Sequence, residues 1–312
     1  MDLSLANIEL AARTIDPVFL NSPQFADDQL CAALGCRTIV KVETANPIRS
    51  FKGRGADFLL RNFDRQQKVI CASAGNFGQA IAYAGRTLGI AVEVFVSADA
   101  NPLKIDRMRS FGATVSIIGS DFDEAKQHAR QRAREQSNCL FVEDGHEPAI
   151  AEGAGTIAIE LLKAGAIDSL VVPLGDGALI TGIGRWMREH SPRTRIVGVC
   201  PEGAAAMLTS WRAGKAISIE KADTIADGIA VRVPISESFE RMKTLVDDIV
   251  SVTDAQMIDA MRLAASTLGL LLEPSGAAGL AAIRAYSVAG DQIATILTGS
   301  NIHPGLIAKI TA

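Results

Sequence analysis

The sequence predicts an α/β protein built on open, mostly parallel sheets, and three observations carry that reading. Short β-rich apolar runs alternate with Ala-rich helical stretches, the order that parallel sheets with crossover helices require. Several runs, "SLVVPL" among them, are apolar almost throughout, as strands covered on both faces are. Three strand ends run into glycine-containing turns that lead into helices, which is where ligands sit in such sheets.

In chain order, strands are expected at 38–43 ("TIVKVE"), 68–73 ("KVICAS"), 91–97 ("AVEVFVS"), 114–119 ("TVSIIG") and 139–144 ("CLFVED"). The second half adds 169–175 ("SLVVPLG"), 195–200 ("RIVGVC") and 293–299 ("IATILTG"). Between them the helical stretches fall at 78–89, 102–111, 122–136, 152–164, 179–190, 254–268 and 276–288. The window 264–283 carries one charge in twenty residues, but Glu273-Pro274-Ser275-Gly276 at its centre speaks for two buried elements broken by a turn, not a membrane span. No solenoid repeat or low-complexity linker is visible, so any domain boundary is crossed by structured chain.

Composition narrows the function classes. With 312 residues, 48% hydrophobic and 21% charged, the chain can bury a sizeable core. Its 31 basic against 35 acidic residues give a net charge of −4, the wrong sign for a sequence-independent nucleic-acid binder. The basic run 125–135 alternates with Ala and Gln and reads as a solvated helix face. Five cysteines, odd in number and without CxxC spacing, argue against a disulfide framework or zinc site and for a reducing, cytoplasmic setting. The N-terminus "MDLSLANIEL" lacks a signal pattern.

The residues that carry chemistry lie at the turns. "LGDGALITG" places Gly175 and Gly177 just before a helix starting near Ala178, and exposed N–H groups at a helix N-terminus make a phosphate cradle. It is neither a P-loop nor a clean GxGxxG, and Asp176 is an awkward neighbour for a phosphate, so its side chain is expected to point away or contact something else. In "NPIRSFKGRGA" (46–56), Lys52 sits among small and apolar residues, surroundings that free an amine for attack on a carbonyl. A Schiff-base lysine with a phosphate cradle elsewhere is the arrangement used for pyridoxal phosphate; a structural lysine on a turn is the alternative.

Taken together, these segments resemble the type II fold of pyridoxal-phosphate enzymes, in the threonine/serine dehydratase (serine racemase-like) branch. "NPIRSFKGRGA" is similar to that family's SFKxRGA segment, and "SAGNFGQAIA" (73–82) to its SxGNHxQ loop. "VVPLGDGALITGIG" resembles the phosphate loop, while "TIADGIAV" (224–231), "EPSGAAGLAAI" (273–283) and "ILTGSN" (296–301) match later segments in consistent order. The resemblance implies the tryptophan synthase beta-like fold. It also implies a large cofactor-binding domain from 1–67 plus 151–312 and a small substrate-loop domain from 68–150.

The same resemblance implies roles. Lys52 would carry pyridoxal 5'-phosphate and, once freed, act as general base at Cα; Phe51 would pack near the ring and Asn76 bond the ring oxygen. Ser73, Ala74, Gly75 and Asn76 would grip the substrate carboxylate. Gly175, Asp176, Gly177, Ala178 and Leu179 would offer N–H groups to the phosphate, and Thr298 would bond the pyridine nitrogen. Gly228 and Glu273 line the site or are structural.

Departures from the family pattern shape the expected reaction. Ala74 stands where racemases carry a second acid/base serine, which favours elimination. Phe77 replaces a usual His, and is expected either to pack in the core or to shift preference toward a bulkier substrate such as phenylserine. Cys200 and Ala206 occupy positions where metal-binding members carry carboxylates, so no metal is expected there. Ending at Ala312, the chain is expected to lack a C-terminal regulatory domain.

The expected activity is a pyridoxal-phosphate ammonia-lyase (dehydratase) that turns an L-3-hydroxy amino acid into a 2-oxo acid and ammonia, in a cytoplasmic homodimer. β-Replacement, racemisation and a non-enzymatic nucleotide-binding α/β module are the alternatives.

Overall fold

The computed structural model describes residues 2–98 and 100–311. The strands are β1 (Gln24–Ala26), β2 (Arg37–Val42), β3 (Lys68–Ala72), β4 (Val92–Val96), β5 (Thr114–Ile117), β6 (Cys139–Phe141), β7 (Ser169–Pro173), β8 (Arg195–Pro201), β9 (Asp248–Val252) and β10 (Gln292–Leu297). The helices that open the chain are α1 (Leu5–Thr14), α2 (Asp28–Leu34), α3 (Lys52–Arg61), α4 (Asn76–Leu88), α5 (Pro102–Ser110), α6 (Phe122–Glu135) and α7 (Pro148–Leu161). They are followed by α8 (Ala178–His190), α9 (Ala206–Ala213), α10 (Ser236–Met242), α11 (Asp254–Leu268), α12 (Pro274–Ala285) and α13 (Pro304–Thr311).

Among the described residues these strands form two sheets, a six-stranded one ordered β1-β2-β10-β7-β8-β9 and a four-stranded one ordered β5-β4-β3-β6. All pairings are parallel except β1 on β2. Every strand expected from the sequence is present. The short edge strand β1 and the half-buried β9 were not expected, because neither shows a long apolar run. The apolar window 264–283 does divide between α11 and α12, and among the described residues no helix is long and apolar enough to cross a membrane.

Burial dictates the few charges the sheets carry. β7 is buried at every position. β4 is too, yet it contains Glu93, whose carboxylate receives Lys68 Nζ at 2.5 Å and Ser116 Oγ at 2.9 Å. A buried carboxylate without such donors would be costly.

The helices that position the site cross at close range. α3 meets α7 through glycine: a Cβ on Gly55 would lie 2.6 Å from the Ile150 carbonyl oxygen, and one on Gly153 2.6 Å from that of Arg54. Only bare backbone fits, so α3 lies flush on α7.

Candidate active site

Lys52 is the first residue of α3 and does not sit in an open turn. The loop before it is tied down by Asn46, whose side chain donates to the carbonyls of Glu43 (2.9 Å) and Ser50 (3.1 Å) and accepts from Ile48 N at 3.1 Å. Ser50 bridges Gly299, and Phe51 N donates to the Thr298 carbonyl at 3.1 Å, so the loop is stitched to the end of β10. Arg54, two residues beyond Lys52, turns the other way, into a buried cluster with Glu43, Glu160 and Lys41.

The Lys52 amine pairs with Asp144 and lies 4.7 Å from the Phe51 ring centroid. Lys52 and Asp144 side chains are each 14% exposed, and Asp144 Oδ1 is buried without a hydrogen-bond partner. Asp144 was expected inside a strand. β6 instead ends at Phe141, and the following turn carries Asp144 across to Lys52. Its placement at a strand's carboxyl end was the signal that could have found it.

Asp176 completes this cluster. It does not escape toward a cation of its own: a Cβ on Gly145, beside Asp144, would come 2.8 Å from its Cβ. The residue as a whole is half-buried, but desolvation of its carboxyl, then the charge of Asp144, push the carboxyl up to about 7, with Lys52 and Lys126 pulling the other way.

The glycine turn behind Asp176 opens α8. Gly177 caps the helix at φ 95°, and no side chain covers the first amides. Ser238 Oγ donates to the Asp176 carbonyl, and a Cβ on Gly177 would stand 2.3 Å from that hydroxyl. Position 177 therefore needs glycine for both conformation and space. A Cβ on Gly175 would be 3.1 Å from the Gly228 carbonyl, one on Gly228 2.8 Å from Ser275 Oγ, and Thr298 Oγ1 donates to the Ser275 carbonyl at 3.3 Å. Gly175, Gly228, Ser275 and Thr298 are thus neighbours, joined through Thr298 to Phe51 and Lys52.

On the other side, Gly75 N donates to Ser73 Oγ at 3.2 Å, and Asn76 begins α4 without a side-chain cap. Asn76 Nδ2 donates to Glu273 Oε1 at 2.5 Å, while its Oδ1 accepts from Asn301 Nδ2 at 2.8 Å. Glu273 is buried next to Lys104 (3.8 Å), and burial raises its pKa against the pull of Lys104. Ala74, Gly75 and Asn76 are partly exposed, whereas the Phe77 ring is 5% exposed and joins the hydrophobic core with Ala80, Ile81 and Met108. Cys200 likewise faces the core, its thiol pushed up to about 12 by burial.

Four helices, α3, α4, α8 and α12, open toward this cluster without side-chain caps. Elsewhere the starts are mixed: α1, α2, α5, α6 and α11 are capped by Ser4, Asp27, Asn101, Asp121 and Thr253, while α7, α9 and α10 are not. Uncapped amides attract anions. Among the described residues, five buried side-chain polar atoms lack a hydrogen-bond partner, and Asp144 Oδ1, Glu273 Oε2 and Ser275 Oγ, all in this region, are three of them. Open amides on one side and unspent polar atoms on the other suit a ligand that carries an anionic group and further polar atoms.

A family model for pyridoxal-phosphate dependent enzymes matches residues 16–299. The L-threonine ammonia-lyase of Thermotoga maritima is 32% identical, covering 99% of this chain and 78% of its own length. A biosynthetic L-threonine dehydratase of Pasteurella multocida is also 32% identical over 88% of this chain, which spans only 55% of that relative. Among solved structures, the processed form of threonine deaminase isoform 2 from Solanum lycopersicum superposes with a TM-score of 0.89 at 29% identity, covering 99% of this chain and 93% of that one. Maize serine racemase gives 0.93 at 25% identity, with 100% and 97% coverage. The chain belongs to the pyridoxal-phosphate-dependent enzyme family, and its cofactor is pyridoxal 5'-phosphate.

Proposed function

We propose that this protein is an ammonia-lyase that eliminates water from an L-3-hydroxy amino acid of threonine or serine size, the resulting enamine then taking up a water and releasing ammonia and a 2-oxo acid. The observation that carries the reading is the amine of Lys52, held on the first turn of α3 beside the open amides of α8. The full-length similarity to an L-threonine ammonia-lyase supports it.

The residues present fit the cofactor. Lys52 would anchor it, the amides of Gly175, Asp176, Gly177, Ala178 and Leu179 would hold its phosphate, Phe51 would pack beside the ring, and Asn76 and Thr298 would bond the ring's polar atoms. When bound, the cofactor draws electrons from the α-carbon of the amino acid it holds. Lys52 Nζ is the base that accepts the α-proton, and Asp144 steadies the amine while it is free. Thr298 offers a hydroxyl, not an acid, so it does not lend the ring a proton. Ser73, Ala74, Gly75 and Asn76 would grip the substrate carboxylate. Ala74 has no group to protonate the opposite face of Cα, which favours elimination over racemisation.

The burial of Phe77 supports its reading as core packing, hence a threonine- or serine-sized side chain instead of a phenyl one. The homodimer and the cytoplasmic setting belong to the same proposal, light scattering being the check on the first. The central test is 2-oxo acid release from a panel of serine, threonine and phenylserine. Turnover confined to phenylserine would overturn the substrate class, and an altered enantiomer without 2-oxo acid would overturn the reaction.

A further inference from the structure

Asp176 is the least expected residue of a phosphate site, and nothing said so far gives its side chain a role. It stands between Gly175 and Gly177 at the N-terminus of α8, a helix of 13 residues whose amides would form the proposed cradle. An ionised carboxylate there would repel a phosphate, which is dianionic above its second pKa of about 6.

The groups around it leave no spare cation. From α3 comes Lys52, already paired with Asp144 of the turn after β6. From α6 come Lys126 and Arg130, both paired with Glu143. From α10 come Arg241, bound to Asp2 and to the carbonyls of Gly145 and His146, and Ser238, whose hydroxyl goes to the Asp176 carbonyl. From β3 comes the buried thiol of Cys71, itself pushed up to about 12 by burial and then by Asp144. Asp176 therefore lies beside the turn that carries Asp144 and Gly145, within reach of the Asp144 charge, with no ion pair of its own among the described residues.

We propose that Asp176 enters the phosphate site as a neutral carboxylic acid, so that binding a phosphate monoester draws a proton onto the Asp144–Asp176 pair. An uncharged acid removes the repulsion and turns an acceptor into an O–H that can donate to a phosphate oxygen. Desolvation of the carboxyl, then the charge of Asp144, already raise its pKa well above the usual carboxylate range in the ligand-free protein. A phosphate beside it adds charge of the same sign and raises that pKa further. Where the free form has lost its proton and the bound form keeps it, affinity falls as pH rises.

The inference rests on the phosphate lying at this loop, and calorimetry separates the two ideas. The full chain, stripped of cofactor, is titrated with 4'-deoxypyridoxine 5'-phosphate, which has ring and phosphate but no aldehyde for Lys52. Two buffers of different ionisation enthalpy report the protons exchanged. The natural chain should take up about one proton per ligand near pH 8, and its affinity should fall by nearly ~10-fold per pH unit above that point. Asp176→Asn should bind with no uptake and with flat affinity over the same range. Asp144→Asn, which removes the repelling charge, should take up clearly less, and carries the test if Asp176→Asn does not fold.

Equal uptake in all three proteins would overturn the inference. So would loss of binding by Asp176→Asn at every pH, since the amide preserves the neutral state assigned to the bound form. If the natural chain binds without uptake, only the proton inference falls; if it does not bind the analogue at all, the placement of the phosphate falls too.

Discussion

Lys52 and Arg54 stand two residues apart at the start of α3, and the fold treats their charges in opposite ways. The Arg54 guanidinium is fully buried and donates to Glu43 (2.7 and 2.8 Å), Glu160 (2.7 and 2.9 Å), Thr156 (3.0 Å) and Ser22 (3.3 Å). Lys41 closes the set on Glu160 at 2.5 Å, so two cations meet two carboxylates and no charge is left over. Lys52 instead meets Asp144 with Asp176 close behind, and Asp144 keeps an oxygen without a partner. A balanced buried cluster can only hold elements together; an unbalanced one retains a demand that a ligand or proton can meet. The first cluster fixes α3 to β2 and α7, so that the second can present its amine to α8.

Substitutions can break this contrast. The largest effect on function should come from Lys52→Ala: the visible absorbance of the cofactor-loaded protein and 2-oxo acid release should both disappear, while the protein still folds. A yellow, active Lys52→Ala protein would refute the assignment of the anchor. Arg54→Leu should do the reverse. It strands Glu43 and Glu160 as buried charges and should cost about 3–5 kcal/mol in urea denaturation. Cofactor absorbance should be recovered in whatever fraction remains folded.

The same contrast has a pH signature. Burial works against the charge of Glu160, but Arg54 and Lys41 more than offset it and hold its pKa at about 2 against an ordinary 4.5. A depressed carboxylate contributes stability that is present above about pH 4.5 and is lost as pH falls toward 2. Acid titration of the thermal midpoint should therefore show a loss in that window, and Glu160→Gln should flatten it at the expense of stability near neutrality. The smallest effect expected is that of Thr298→Ala, which removes one neutral hydrogen-bonding hydroxyl. By the usual worth of about 1 kcal/mol it should weaken cofactor binding roughly fivefold, with the protein otherwise intact.

Much of this was legible in sequence, unevenly. Strands such as β4 and β7 declare themselves because a strand covered on both faces is apolar at each position. The glycine turns after β3 and β7 declare themselves because tight strand-to-helix turns need glycine. β9 escaped because it is only partly buried, and α3 because its run of Gly, Arg and Asp carries weak helical preference. α3 is helical through packing: Gly53 and Gly55 let it press against Phe19 and Ile150, and Arg54 finds its partners in other elements.

Asp144 and Asp176 show where sequence reading ends. The sequence by itself determined the α/β class and most of the strands, and it singled out Lys52 and the glycine loop as candidates, because each rests on local periodicity or on a residue type that the chemistry requires. Only the tertiary structure decided that Arg54 turns into the core while Lys52 turns to the site, that Asp144 crosses to Lys52, and that Asp176 has no cation of its own among the described residues. A charged side chain on a turn carries no local preference for one partner; which charge it meets is settled when distant strands and helices are brought side by side.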